Sequence, residues 1–237
     1  MQLPKLDTPT YELNLPSTND IIKYRPFLVK EEKILLMAQE SKEDKEIANA
    51  TINLIDACTF NKLNVKKLPV FDIEYILLQI RAKSVGEIVT TNLICQDDLK
   101  TVVPTKIDLT KIDVQIDEEH TNKIIIDEKR NLGVVFNYPT FEMASQGVDV
   151  RGTDVEKIFD LLSTCVDHIF EGETIYHRKD MEKNELKEFF ESMKQSQFEK
   201  VQKFFNSMPT LIQEFELENP KTKVKSTVVL RGLNDFF

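Results

Sequence analysis

Glycine, histidine and cysteine are scarce in this chain, and each scarcity excludes a class of function. The 237 residues include six glycines, and neither G-x-x-x-x-G-K nor G-x-G-x-x-G occurs, which excludes a loop that cradles nucleotide phosphates. The three histidines and three cysteines form no C-x-x-C and no histidine pair at i, i+4, as a metal site would use. The catalytic motifs G-x-S-x-G and H-E-x-x-H are also absent. No motif therefore assigns the chain a reaction or a cofactor.

The cysteines do not form a disulfide framework. Cys58, Cys95 and Cys165 are odd in number and widely separated, whereas small secreted domains use denser, even sets. This pattern favours a reducing cytoplasm. Cys58 and Cys165 lie on apolar faces of predicted helices, where a cysteine is most often a small core residue.

Long apolar runs and an excess of basic charge are lacking as well. No run approaches the roughly 18 apolar residues of a membrane helix, and the N-terminal MQLPKLDTPT has no signal-peptide pattern. The formal net charge is −9, whereas nucleic-acid binding is driven by clustered Lys and Arg. We therefore expect neither a nucleic-acid nor a membrane partner. An acidic balance favours basic protein partners.

Acidic residues cluster around one histidine. Asp113, Asp117, Glu118 and Glu119 precede His120, but the cluster lacks the glycine and the spacing of a calcium loop. We interpret it as a solvated loop between strands.

The N-terminal third is predicted to be mainly helical. Short alternation around Tyr11 to Tyr24 predicts a β-hairpin with its turn at residues 16–20. Pro26 disfavours the helical conformation at the residue before it, so the chain changes from strand to helix there. Ser41 resembles the N-cap of a second helix. The apolar spacing predicts three helices, over residues 29–39, from Ser41 to about residue 57, and over residues 68–83.

After Gly86 the apolar period changes from that of a helix to two, which predicts an antiparallel meander of four or five strands over residues 86–137. Thr153 then resembles the cap of a helix whose apolar face comprises Val155, Ile158, Phe159, Leu162, Val166 and Ile169. The next predicted elements are a short strand at residues 174–178, helices at 184–193 and 197–205, and a β-hairpin over 211–230.

The predicted fold class is α+β, with helical segments packed on a central antiparallel sheet at about residues 86–137 and a C-terminal β-hairpin. The predicted regions are 1–85, 86–137 and 138–237, in one or two compact domains.

Two groups of residues leave alternatives open. Cys165 and His168 would be three residues apart on one helix, so a thiol- or metal-dependent enzyme is an alternative function, although a buried thiol without an activating neighbour is usually inert. Phe236 and Phe237 end the chain, and two aromatics there either pack into the chain's own core or insert into a partner.

Several stretches resemble the baseplate hub assembly proteins of T-even-type contractile-tailed bacteriophages. These stretches cover both ends and much of the chain: IKYRPFLVKEEKILLMA (22–38), LPVFDIEYILLQIRAKSVGE (68–87), FNYPTFEM (136–143) and FFNSMP…LRGLNDFF (204–237). Some members of this family carry cysteine pairs at a hairpin tip. This chain keeps only Cys95 in that region, so the resemblance does not imply a zinc ribbon.

The resemblance implies a non-enzymatic protein that helps to build the central hub of the tail baseplate in the infected bacterial cytoplasm, without catalytic residues, metal or cofactor. The partners of the protein would be other hub or tail proteins. The resemblance leaves open the oligomeric state and whether the protein stays in the virion. The matching positions are expected either to contact a partner or to define the fold. The candidate partner contacts are Tyr24, Arg25, Phe27, Arg81, Lys83, Asp235, Phe236 and Phe237.

Overall fold

The structure is a computed structural model, which describes residues 6–145 and 155–236. The chain divides into two compact units. Unit 1 comprises Met1–Gln115 and Thr210–Phe237, and unit 2 comprises Ile116–Pro209. The C-terminal segment thus belongs with the N-terminal one. The three regions 1–85, 86–137 and 138–237 stay a prediction.

Seven α-helices and eleven β-strands occur in the described residues. In chain order, the helices are α1 (Val29–Ser41), α2 (Asp44–Cys58), α3 (Val70–Val85), α4 (Phe141–Ser145), α5 (Val155–Cys165), α6 (Lys183–Glu191) and α7 (Gln195–Asn206). The strands are β1 (Tyr11–Asn14), β2 (Ile21–Tyr24), β3 (Ile88–Ile94), β4 (Val102–Asp108), β5 (Asp113–Gln115), β6 (Lys123–Asp127), β7 (Leu132–Phe136), β8 (Val166–Glu171), β9 (Thr174–His177), β10 (Thr210–Glu218) and β11 (Lys225–Arg231). The chain is thus α+β, which confirms the predicted fold class.

The N-terminal elements follow the local sequence signals. The hairpin β1–β2 and helices α1 to α3 lie where the sequence predicts them. Ser41, however, does not cap α2: its hydroxyl donates to the Ala38 carbonyl at 2.7 Å and accepts from the Glu43 amide at 3.2 Å. Ser41 therefore closes the end of α1, and α2 begins after Glu43.

Helix α3 lies at the centre of unit 1, as its broad apolar surface predicts. Ile73, Ile76 and Leu78 are almost completely buried. Asp72 is also fully buried, and its carboxylate accepts hydrogen bonds from the Ser17 hydroxyl and, at 3.0 Å, from the Ser17 amide. Burial raises the pKa of Asp72 against the lowering effect of these two hydrogen bonds. The pair fixes the turn of the β1–β2 hairpin on α3.

The strands between residues 86 and 137 are antiparallel but do not form the predicted single central sheet. Strands β3 and β4 pair only with each other, and β5 joins a three-stranded sheet in the order β11-β10-β5. Strands β6 and β7 belong to the four-stranded sheet β6-β7-β8-β9 of unit 2. The meander prediction fails because β5 pairs with a strand from the far end of the chain, with Leu211 opposite Val114.

One core of unit 1 combines α3 with residues between β3 and β5 and with the C-terminal segment. Its buried residues include Leu78, Ile107, Leu109, Ile112, Leu211, Leu217, Leu230 and Phe236. The C-terminal hairpin that the sequence predicts is confirmed by the pairing of β10 with β11.

Unit 2 packs its helices on the four-stranded sheet. The core contains stacked aromatic rings, with Phe136 5.2 Å from Phe204 and 6.2 Å from Phe190 between ring centroids. Residue 165 ends α5, and the chain continues directly as β8. Val166 and Ile169, which the sequence places on a helical face, are therefore strand residues, and the proposed cap at Thr153 lies outside the described residues.

The α5–β8 boundary has a cause that apolar spacing does not reveal. Val166, Ile169 and Phe170 satisfy the i, i+3, i+4 spacing of a helix, but β-branched and aromatic residues also favour strands. Pairing with β7 decides between the two, with Val134 opposite Ile169. Gly133 permits this pairing, because a Cβ there would lie against the Phe170 ring and 2.6 Å from the Ile124 carbonyl oxygen.

Candidate partner-binding surface

Arg25 and Glu31, from the family-like N-terminal block, form a buried ion pair. The Arg25 guanidinium donates to the Glu31 carboxylate at 3.0 Å and to the Pro26 carbonyl at 2.9 Å. The second Glu31 oxygen accepts from the Leu28 amide at 2.6 Å, at the start of α1. Burial alone would raise the pKa of Glu31, but the hydrogen bonds from Arg25 and Leu28 hold it below its ordinary value.

The same block is tied to the other helices of unit 1. The Arg25 amide donates to the Cys58 carbonyl at the end of α2 at 3.0 Å. The Phe27 amide donates to the Ser84 hydroxyl at 2.9 Å, and that hydroxyl donates to the Ile80 carbonyl within α3 at 2.6 Å. These family-like positions therefore hold the segment before α1 against α2 and α3.

Three further candidate contacts lie in or near this block. Tyr24 is only 2 % exposed, and burial raises its pKa to about 12. Lys83 forms an ion pair with Glu87, and its ammonium lies 5.2 Å from the centroid of the Tyr11 ring. Arg81 is half-buried, and burial lowers its pKa. Of these three residues, Tyr24 is part of the buried core, and the side chains of Lys83 and Arg81 are partly buried.

The C-terminal candidates have different environments. Phe236 is 1 % exposed and belongs to the core of unit 1, so it packs into its own chain rather than projecting toward a partner. Asp235 is exposed, and its carboxylate accepts from the Arg231 amide at 2.7 Å. Phe237 lies outside the described residues.

Apolar side chains on α1 are exposed instead. Val29 is 80 % exposed, Leu36 53 % and Met37 59 %, whereas the residues that α1 buries are Glu31 and Ala38. Val29 and Leu36 are two helical turns apart, so they lie on one side of the helix. The sequence shows this apolar band, but it cannot show that the band faces outward, because a buried helix would have the same composition.

Sequence reasoning missed a polar network around His120 in unit 2. One ring nitrogen of His120 lies 2.8 Å from the Ser207 hydroxyl, and the other lies 3.0 Å from the Tyr138 hydroxyl. The ring also stacks on Phe204, with centroids 5.2 Å apart. Burial lowers the pKa of His120, against an opposing effect of Asp117. His120 therefore belongs to the packing of unit 2, whereas Asp117, Glu118 and Glu119 before it are exposed, as a solvated loop requires.

The structure does not place Cys165 and His168 as the alternative function, a thiol- or metal-dependent enzyme, requires. Cys165 ends α5 and is fully buried, and burial raises the pKa of its thiol to about 12. His168 is on β8, where its Nδ1 lies 2.7 Å from the Asp167 carboxylate. The two residues thus do not share a helix, and the thiol is not activated.

Across residues 6–145 and 155–236, no group of three or more His, Cys, Asp or Glu side chains is arranged to hold a metal ion. Among the described helices, none combines the length and the apolar character that a membrane span requires.

The family model for the T4 bacteriophage base plate protein matches residues 8–237, and the chain belongs to this family. It is thus a component of a phage tail baseplate. No curated protein and no solved structure matches the chain.

Proposed function

We propose that the chain is a subunit of the baseplate hub, or a dedicated assembly factor of the hub, and that it acts through protein–protein contacts without catalysing a reaction. The observation that carries this proposal is the family match over residues 8–237. The protein would act in the cytoplasm of the infected bacterium, where it would bind other tail proteins.

The surface of unit 1 supports a role in protein contacts. Exposed apolar residues on one side of a helix mark interaction sites when they are contiguous, and α1 exposes Val29, Leu36 and Met37. Another tail protein is the proposed occupant. Exposed Asp235 and partly covered Lys83 remain proposed polar contacts, whereas Tyr24 and Phe236 contribute through the core.

The state of the thiols supports a non-enzymatic role. Cys58 and Cys165 are fully buried, and burial raises their pKa values to about 11 and about 12, respectively. A thiol must be deprotonated and accessible to act as a nucleophile.

Quantitative mass spectrometry of purified virions and of infected-cell lysate tests the proposal. A fixed copy number relative to other hub proteins in virions identifies a hub subunit. Abundance in lysate together with absence from virions identifies an assembly factor that leaves. In either case a tagged chain recovers tail proteins from the lysate, and recovery of none would refute the proposed function.

A matched pair of variants locates the contact on α1. Leu36→Ser removes an exposed apolar side chain, whereas Glu40→Ser changes an exposed polar residue one turn further along the same helix. We expect Leu36→Ser to reduce recovery of tail proteins and Glu40→Ser to leave it unchanged. Equal recovery with both variants would exclude α1 as the contact surface without affecting the proposed function.

A further inference from the structure

A cleft in unit 2 lies outside the surfaces described above. It lies between the four-stranded sheet and the segment from α6 to the start of α7, with a volume of about 620 Å³. This volume is within the range of about 300–1,000 Å³ that is typical of ligand-binding clefts. The sheet contributes Ile126, Leu132, Ile169 and Tyr176, and the helical side contributes Leu186 and Phe189.

The floor of the cleft is apolar and buried, and two methionines also line it. Ile126, Ile169 and Leu186 are each at least nine-tenths buried. Met181 and Met193, which also line the cleft, are half-buried. Methionine side chains adapt their shape to different apolar partners. The cleft therefore offers an apolar floor to an apolar side chain, within a lining that also contains polar residues such as Ser192 and Gln197.

Tyr176 places an aromatic ring at the mouth of the cleft. It is 45 % exposed, on the edge strand β9, and pairs across the sheet with buried Ile169. Successive side chains of a strand point to opposite faces, so the neighbouring Ile175, which is 52 % exposed, lies on the other face. Exposed tyrosine beside a buried apolar floor is typical of residues that contribute strongly to protein–protein binding.

The rim of the cleft carries excess negative charge. Among the described residues that line it, Arg130 is the one basic residue, and it is paired with Glu171 at 2.7 Å. Glu171 and, more weakly, Asp127 raise the pKa of Arg130, so this one cation is shared between two of the carboxylates. The Asp127 carboxylate also accepts from the Lys129 amide at 2.9 Å. The acidic lining residues are Asp127, Glu171, Asp180 and Glu185.

We propose that this cleft binds a short segment of another tail protein in which an apolar side chain is flanked by Lys or Arg. The apolar side chain would enter between Ile169 and Phe189, and the flanking cations would face Asp127 and Asp180. Charge complementarity selects this partner, because a neutral or acidic segment would leave the acidic rim uncompensated. The inference deepens the proposed function and rests on it, since it names the chemistry of one partner.

Two labelled peptides test the proposal with the full chain, by fluorescence anisotropy. KRSLFLSRK has the proposed chemistry, and EESLFLSEE keeps the apolar centre but reverses the charge. We expect KRSLFLSRK to bind at least about tenfold more tightly, a difference of about 1.4 kcal/mol, and its affinity to fall as salt screens the rim. Equal binding of both peptides, or binding of neither, would overturn the proposal.

Two matched pairs of variants localise the binding. Tyr176→Ala should weaken binding of KRSLFLSRK about tenfold, whereas Ile175→Ala on the other face of β9 should not change it. Asp180→Lys should weaken binding more than Glu188→Lys, since Glu188 is on α6 but does not line the cleft. Circular dichroism verifies that each variant is folded. Equal effects within each pair would place the peptide elsewhere and refute the assignment.

Two further results separate this inference from its alternatives. Sedimentation showing a dimer that Tyr176→Ala dissociates would assign the cleft to a second copy of the chain and overturn the proposal. If the chain recovers tail proteins from lysate but binds no basic peptide, this inference fails and the proposed function stands.

Discussion

Replacing Phe236 by alanine tests directly whether the C-terminal aromatic belongs to the core. The ring is 1 % exposed and packs in the cluster that contains Leu211 and Leu230. The structure therefore predicts that Phe236→Ala destabilises unit 1. A ring reserved for a partner would instead leave stability unchanged when it is removed.

The size of the effect follows from the buried area. An aromatic side chain buries about 150–250 Å², and at about 25 cal/mol per Å² this corresponds to about 4–6 kcal/mol. The compactness of the unfolded chain lowers this value, and measured Phe→Ala substitutions cost about 3–5 kcal/mol. We expect about 3–4 kcal/mol, a large fraction of the roughly 5–15 kcal/mol that stabilises a typical protein. At about 2–4 °C per kcal/mol, Tm should fall by about 6–16 °C.

Thermal unfolding followed by circular dichroism measures the shift, and hydrogen exchange shows which unit opens. Phe236→Leu retains most of the volume and should cost less than about 1.5 kcal/mol. Val229→Ala, a half-exposed position on β11, is the matched control and should cost less than Phe236→Ala. A Tm for Phe236→Ala within about 1 °C of the unmodified chain would refute core packing.

Three other features give measurable outcomes. Burial holds the pKa of His120 below its ordinary value of about 6.5, so the unfolded chain binds a proton more readily than the folded chain. The stability of the fold should therefore decrease as the pH falls through and below 6.5. The difference in Tm between pH 7 and pH 5 should be smaller for His120→Gln than for the unmodified chain. Gly133→Ala should cost about 1–3 kcal/mol by urea unfolding, because a Cβ would meet the Phe170 ring and the Ile124 carbonyl. The buried thiol of Cys165 should react with Ellman's reagent only after urea unfolds the chain.

Opposite results would contradict each argument. An unchanged pH dependence in His120→Gln would mean that the carboxylates alone cause the loss of stability in acid. A Gly133→Ala variant as stable as the unmodified chain would show that the sheet accommodates the methyl group. Rapid labelling of Cys165 under native conditions would show that the α5–β8 boundary opens readily.

The sequence predicts the elements whose signals are local. The hairpin at Tyr11–Tyr24 and helix α3 depend on alternation, proline and apolar spacing within a few residues, and both lie where predicted. The predicted single sheet fails, because strand pairing depends on distant residues: Leu211 pairs with Val114. The segment from Val166 fits a helix and a strand equally well, and only its pairing with β7 decides.

The candidate contacts illustrate a second limit of the sequence. The resemblance selects Arg25 and Phe27, but only the structure separates a partner contact from a residue that defines the fold. Both are bonded within unit 1, to Glu31 and to Ser84, respectively. The cleft at Tyr176 was not predictable, because its lining comes from separate strands and helices and its residue types are ordinary on a surface.

The pairing of β5 with β10 determines which unit can complete its folding first during translation. The Gln115 side-chain amide donates to the Ile212 carbonyl across this junction, although the two residues are 97 positions apart in the chain. At roughly 5–20 residues per second, a ribosome needs about 5–20 s to synthesise the intervening segment. Throughout that interval β5 has no partner strand, whereas all the strands that pair in unit 2 emerge together. Unit 2 is therefore expected to be the first body completed during translation, and unit 1 the last.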